Sequence, residues 1–290
     1  MRLYKINNLQ EYEAFLSRTK ELREEHQSFL TRHIPSVQEP FSVPGYSYTA
    51  NKSVEFMVDY EHSGGSGNVN WRERVQCPET YFNNRMRATF HLFDIFMDPY
   101  TDKGIYISEQ LTPIYEYFLK RFPNTIGSEF LGGDFAPGAL NENNIRNEDL
   151  TALSFDKNSF DAIVSLDVFE HIPEYKKSFK ECARILKPGG KMMWSVPFIP
   201  AHHDTTIRAK IVNGEIQHIH PPEYHGDPLS PDGVLCFQHF GWDMFDDVKE
   251  AGFEEAYAIY YQSAEFGYLG HNQFMFFAKK KSISKIDGKK

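Results

Sequence analysis

Residues 145–198, IRNEDLTALSFDKNSFDAIVSLDVFEHIPEYKKSFKECARILKPGGKMMWSVPF, constrain the fold more than any other stretch of the chain. Three runs read as strands: 144–150, 160–166 and 191–196. Between the last two, residues 174–186 place Tyr175, Phe179, Cys182, Ala183, Ile185 and Leu186 mostly at helical spacing. Lys187-Pro188-Gly189-Gly190 then ends that helix, because proline cannot continue it and glycine accepts a left-handed cap. Strand, helix and strand joined by a short turn describe a right-handed crossover in a parallel sheet. The chain is therefore expected to be an α/β protein.

The same stretch carries chemistry. An acid follows the first run (Asp149), and SLDVFEHI closes the second. The helix ends in LKPGG and the last strand in VPF. In that order and at those separations, these features resemble the second half of a class I S-adenosylmethionine-dependent methyltransferase. The resemblance is closest to the type 11-like enzymes of bacterial glycan-biosynthesis clusters. It implies a doubly wound, Rossmann-like sheet of seven strands with a C-terminal antiparallel hairpin, here 253–263 and 273–279, and a small α+β module at the N-terminus. It also implies S-adenosyl-L-methionine as cofactor and a small-molecule or glycan acceptor methylated on oxygen or nitrogen.

The resemblance assigns site residues strand by strand. The first strand, 104–110, ends in Ser108-Glu109-Gln110 where such enzymes carry a GxGxG loop. Polar side chains would there replace glycine backbones, and Glu109 could face the cofactor's ammonium or sulfonium. The second strand, 125–131, ends near Glu129, which would accept hydrogen bonds from the ribose hydroxyls. Asp149 would face the adenine amine and Leu150 its ring. Asp167 would stand beside the transferable methyl group, as base or orienting group, with His171 following.

Ahead of this domain, residues 8–33 read as an amphipathic helix, and Pro35, Pro40 and Pro44 as a linker. The expected organisation is 1–44 helix and linker, 45–100 a ribbon-like module, 101–280 the methyltransferase domain and 281–290 a basic tail. The module holds a Ser63–Gly67 tip and the run NWRERVQCPETYFNNRMRA, which resembles a zinc ribbon preceding some glycan-cluster methyltransferases. Ser47, Ala50 and Thr80 stand where the resemblance implies cysteines, and only Cys77 remains. One thiolate cannot close a tetrahedral zinc site, so no metal is expected. Trp71, Arg72, Glu73, Asn84, Arg85 and Arg87 are candidate substrate contacts, or the arginines simply pair with carboxylates.

After the fifth strand, residues 199–240 hold six of the twelve histidines, within and around HIHPPEYHGDP. A metal site, a substrate lid and a proline-rich loop without chemistry all remain open. The spacing fits no HExxH-type zinc signature. As lid residues, His202, His203, Tyr224 and His225 are catalytic candidates.

A formal charge of −9 argues against a nucleic-acid partner. No apolar run is long enough to span a bilayer, and the N-terminus lacks a signal peptide's apolar core. Three dispersed cysteines make no disulfide framework, so a reducing cytoplasm is expected, with homo-oligomer formation left open. Two other function classes fit the pattern: a non-catalytic binding or assembly module of methyltransferase fold, and a nicotinamide-dependent Rossmann enzyme. The absent GxGxxG counts against the latter.

Overall fold

A computed structural model describes residues 1–63 and 68–282; the rest of the expected 63–67 tip and most of the expected basic tail lie outside the described residues. The chain divides into two compact units. One comprises Met1–Ile6, Gln10–Asp98 and Ala258–Met275, and the other Asn7–Leu9, Pro99–Tyr257 and Phe276–Lys290.

In the first unit the elements are β1 (Arg2–Ile6), α1 (Leu9–Arg18), α2 (Lys20–His33), β2 (Phe41–Ser47), β3 (Lys52–Val58), β4 (Val75–Gln76) and α3 (Asn84–Phe96). The single helix expected over 8–33 is two, parted at Thr19. β2, β3 and β4 form an antiparallel sheet, with Pro44 inside β2 opposite Glu55 rather than in a linker. Leu30, Val43, Phe56, Val58, Val75 and Leu269 build its core. The positions expected to have lost cysteines gather around the one that remains. Ser47 and Thr80 lie beside the buried Cys77, Ser47 Oγ is 3.3 Å from Thr49 Oγ1, and Ala50 N donates to Ser47 Oγ. Hydroxyls here make the cross-links between two tight turns. Asn84 and Arg87, candidate substrate contacts from sequence, are fully buried and bonded to backbone carbonyls.

Two histidines of this unit are held neutral. Burial, then the neighbouring His271 and Arg2, push the His26 pKa down to about 4. Burial does the same to His91, which stacks on Tyr48 at 3.9 Å, against a weaker pull from Asp94. The folded pKa of each lies below its unfolded value near ~6.5, so the unfolded chain binds more protons in between. Their contribution is complete above pH ~6.5 and is lost as pH falls toward 4. At pH 5 His26 alone is expected to cost on the order of 1–2 kcal/mol relative to pH 7. Urea unfolding followed by Trp71 fluorescence should show a lower midpoint at pH 5, and His26→Phe should narrow the difference. Equal midpoints at both pH values would refute this.

The second unit holds β5 (Ile105–Ile107), α4 (Pro113–Arg121), β6 (Thr125–Gly127), β7 (Phe160–Leu166), α5 (Tyr175–Ile185) and β8 (Leu186–Ser195). Six short strands follow, β9 (Thr206–Ile207), β10 (Ala209–Val212), β11 (Glu215–His218), β12 (Tyr224–Asp227), β13 (Ser230–Leu235) and β14 (Gln238–His239), and then α6 (Met244–Glu250). The division between the units passes through the last strands, β15 (Phe253–Gln262) and β16 (Phe274–Lys280). β6, β5, β7 and β8 are parallel, and β16 joins β8 antiparallel. The apolar face of α5 buries Phe179, Cys182 and Ile185. Its C-cap is Leu186 in extended backbone, so β8 begins at once and the expected glycine cap is not used. Gly189, at φ +76°, lies within β8.

The full sheet runs β1-β15-β16-β8-β7-β5-β6. The expected seven strands and C-terminal antiparallel pair are present, with one exchange of membership. Residues 144–150 form no strand and keep only a parallel bridge between Asn147 and Glu129 and an antiparallel one between Arg146 and Leu140. The seventh place belongs to β1 at the opposite edge, antiparallel to β15. Asn147 and Glu148 explain the loss. The Asn147 amide bonds Leu131 N and Phe135 O, and the buried Glu148 carboxylate takes Arg146 and Ser154, so side chains rather than a ladder hold this segment. Among the described residues, no helix is long and apolar enough to cross a membrane.

Candidate active site

The C-terminal ends of parallel strands are where open α/β sheets bind ligands; Ser108, Glu129 and Asp167 follow such ends, whereas Asp149 and Leu150 close a segment that forms no strand. After β5, Ser108 donates from its backbone to Val164 O and from its hydroxyl to Ser165 Oγ at 2.7 Å. Thr112 then caps α4 by accepting from Tyr115 N, with Pro113 preset for the first turn. Glu129, at the end of β6, accepts from Gln110 N at 2.7 Å and Leu111 N at 2.9 Å. One carboxylate thus holds the loop that lacks glycines. The side chain of Gln110 continues the work: its Nε2 donates to Asn144 O and its Oε1 accepts from Arg146 N. It stands in for a strand partner. A glycine is needed nearby all the same, because a Cβ on Gly127 would lie 2.7 Å from Glu109 O and 2.6 Å from the Tyr115 ring.

Asp149 folds onto its own turn, accepting from Thr151 N and Oγ1 at 2.7 Å. Leu150 beside it is buried. Asp167 ends β7 in the left-handed region at φ +53° and accepts from Ser195 Oγ at 2.8 Å. That conformation turns the chain off the strand into the 3-10 helix Phe169–His171.

Next to Asp167 the structure brings together groups from distant parts of the chain. His171 Nδ1 donates to Leu235 O at 2.9 Å, which leaves the Nε2 lone pair available. Glu170 is fully buried, and neither carboxylate oxygen has a hydrogen-bond partner. His171 Nε2 lies 3.7 Å and His225 Nδ1 3.5 Å from Glu170 Oε1. Burial raises the Glu170 pKa, Asp167 adds to the rise, and His225 opposes it. His225 is pushed up to about 11 by Cys236 first, then by Glu170 and Glu223, against its burial.

The insert closes over this end of the sheet. Gln238 Nε2 donates to Phe169 O and Ile172 O, and Phe237 N to Glu170 O. Burial lowers the His171 pKa, and Asp227, at the end of β12, is among the charges that oppose this; the same carboxylate adds to the burial that raises Glu129. His225 and His171 meet edge to face at 4.9 Å. The other insert candidates stand apart from this cluster. His202 and Tyr224 are exposed, and exposed His203 pairs with Asp204 at 2.7 Å. Sequence reasoning passed over Glu170, Glu223, Cys236 and His239 as site residues. The one available signal was an acid between Phe169 and His171 in an otherwise apolar turn.

Residues 116–194 match the model of a family described as a methyltransferase domain. The ubiquinone biosynthesis O-methyltransferase of Coxiella burnetii (strain Dugway 5J108-111) is 29% identical over 90 residues, covering 28% of this chain and 38% of that protein. The enzyme of the same name from Idiomarina loihiensis is 49% identical over 37 residues, covering 13% of this chain and 15% of that one. The chain thus spans well under half the length of the curated relatives it matches. A solved S-adenosylmethionine dependent methyltransferase from Mesorhizobium loti covers 68% of this chain and 96% of its own, at 14% identity and a TM-score of 0.39. Over the segment from α4 to β8, which carries Glu129, Asp149, Asp167 and His171, the chain is similar to a methyltransferase domain.

Proposed function

We propose that the chain transfers a methyl group from S-adenosylmethionine to a hydroxyl oxygen of a small-molecule or sugar acceptor. The observation that carries this reading is the match over 116–194, the segment that holds Glu129, Asp149 and Asp167. The name of the similar O-methyltransferases favours oxygen over nitrogen. Ser108, Glu109, Gln110, Glu129, Asp149 and Leu150 would hold the cofactor, with Asp167 as the group beside the transferable methyl. The acceptor enters beneath the insert. Transfer is an in-line displacement at the sulfonium methyl: the C–O bond forms as the C–S bond breaks, leaving S-adenosylhomocysteine. Holding the oxygen in near-attack geometry is the main task of the site.

The hydroxyl proton goes to His171 Nε2, the ring nitrogen left over when Nδ1 donates to Leu235 O. Removing a general base of this kind lowers turnover by roughly 10²–10⁴-fold. With methyl-labelled cofactor and a panel of phenols and sugars, His171→Ala is expected to lose that much kcat with little change in the KM for cofactor. An unaltered kcat would remove His171 from the reaction. The cluster of Ser47, Cys77 and Thr80 supports reading the N-terminal module as a ribbon that has lost its metal, serving acceptor selection in glycan assembly. A second reading, a ligand-binding module without turnover, is favoured by one observation: the side chains of Ser108 and Gln110 already bond protein groups.

A further inference from the structure

Cys236, Glu223 and His239 form a second cluster inside the insert, and none of the roles above uses them. Their donor atoms all lie within 4.8 Å of one another. The antiparallel pairing of β12 with β13 makes the cluster: Tyr224 faces Leu235, and Cys236 N extends the ladder to Glu223 O at 2.8 Å. β14 then returns His239 to the same point. Glu223 Oε1 is 3.1 Å from His239 Nε2 and 3.1 Å from His225 Nε2. Its other oxygen, Oε2, is held by Arg208 at 3.2 Å. We propose that Glu223, His225, Cys236 and His239 bind a divalent metal ion of the zinc type, through one thiolate, two imidazole Nε2 atoms and one carboxylate oxygen.

The donor chemistry supports this. Thiolate, imidazole and carboxylate are the ligands of tetrahedral zinc, at about 2.0–2.3 Å from the ion, and a four-donor set of this kind closes a structural site. Cys236 is 1% exposed. A buried thiol beside two imidazoles and a carboxylate is a poor packing element and a good ligand.

Glu170 supplies an independent observation. It is completely buried, with both oxygens lacking a hydrogen bond, and it faces the far nitrogen of the His225 ring. An ion on His225 Nε2 places the ring's proton on Nδ1, directed at Glu170. That is the carboxylate–histidine–metal relay found behind most metal-bound histidines. Without an ion, the ring stands between two carboxylates, Glu223 on Nε2 and Glu170 facing Nδ1. The ion would pin the β12–β13 hairpin to β14 and, through Glu170, to the end of β7. This inference stands whether or not the proposed methyl transfer is correct.

The sequence expectation of no metal rested on the N-terminal module and on histidine spacing alone. Cys77 and Cys182 lie outside the proposed set. The test uses the full chain, stripped with chelator and reloaded with Zn²⁺ or Co²⁺. One ion per chain is expected by elemental analysis, and Co²⁺ should give the thiolate charge-transfer band of a tetrahedral cobalt–sulfur site. Cys236→Ser should abolish that band, His239→Ala should weaken Zn²⁺ binding at least ~100-fold, and Glu170→Gln should weaken it roughly 10–100-fold, as loss of a partner behind a ligand does. Cys77→Ser should change nothing. No stoichiometric ion in the reloaded wild type, or a cobalt spectrum without the thiolate band, overturns the proposal. The wild-type spectrum decides the matter even if Cys236→Ser fails to fold.

Discussion

Arg87→Ala is expected to destabilise the N-terminal unit by more than about 3 kcal/mol, since a buried acceptor left without its donor costs about 1–3 kcal/mol. Arg87 is fully buried in α3. Its guanidinium donates to Phe266 O at 2.8 Å, Val75 O at 3.0 Å and Gly267 O at 3.1 Å, and its charge lies 3.9 Å above the Phe56 ring. Burial lowers its pKa to about 10, so it remains charged at neutral pH. Alanine would leave three carbonyls without their donor and a cavity against Phe56. Lysine would keep the charge, but one ammonium cannot reproduce a planar fork that serves three acceptors, so Arg87→Lys should recover less than half of the loss. Denaturant unfolding followed by Trp71 measures both. A loss below about 1 kcal/mol, the scale of one ordinary hydrogen bond, would show that the carbonyls find other donors.

The second large effect belongs to Glu129. In the structure its carboxylate accepts two backbone N–H groups of the first loop, and in the proposed complex it also takes the ribose hydroxyls. Hydrogen bonds to a charged group contribute about 1.5–3 kcal/mol each. Glu129→Ala is therefore expected to weaken S-adenosylhomocysteine binding roughly 100-fold or more, about 2.7 kcal/mol or above. Glu129→Gln keeps one acceptor oxygen for the loop and should fall between. Thermal unfolding of the unliganded variants separates the two roles: a loop function alone would lower the melting temperature while leaving affinity close to wild type. Native-like melting with undiminished affinity would rule out this placement.

Much of the second unit was legible because its elements are strongly patterned. β7 is a nearly continuous apolar run, as a strand covered on both faces must be, and α5 carries its apolar positions on one face. β1 was not legible. RLYKI is short, alternates charged with apolar residues and runs directly into a helix, so only its partner β15 identifies it as a strand. The reverse error at 144–150 has a similar cause. IRNEDL alternates well enough for a strand, but Asn147 and Glu148 spend their side chains on neighbouring loops, and Gln110 bonds the backbone that a ladder would use. Placing the site at strand ends needed only the order of strands. The cluster around Glu170 and Cys236 needed the register of the β12–β13 hairpin, which a proline- and histidine-rich stretch does not announce. Histidines drew attention there, whereas the structure gathers His171, His225 and His239 about acids and a thiol and leaves His202 and His203 exposed.

The central claim is that the strand ends of the second unit bind S-adenosylmethionine although the first loop has no glycines. Isothermal calorimetry of the full chain with S-adenosylmethionine, S-adenosylhomocysteine and NAD in parallel tests it most directly. The expected result is one site per chain for each of the first two ligands, weakened by Glu129→Ala, and no heat of binding for NAD. Binding of NAD alone, or of none of the three, would contradict it.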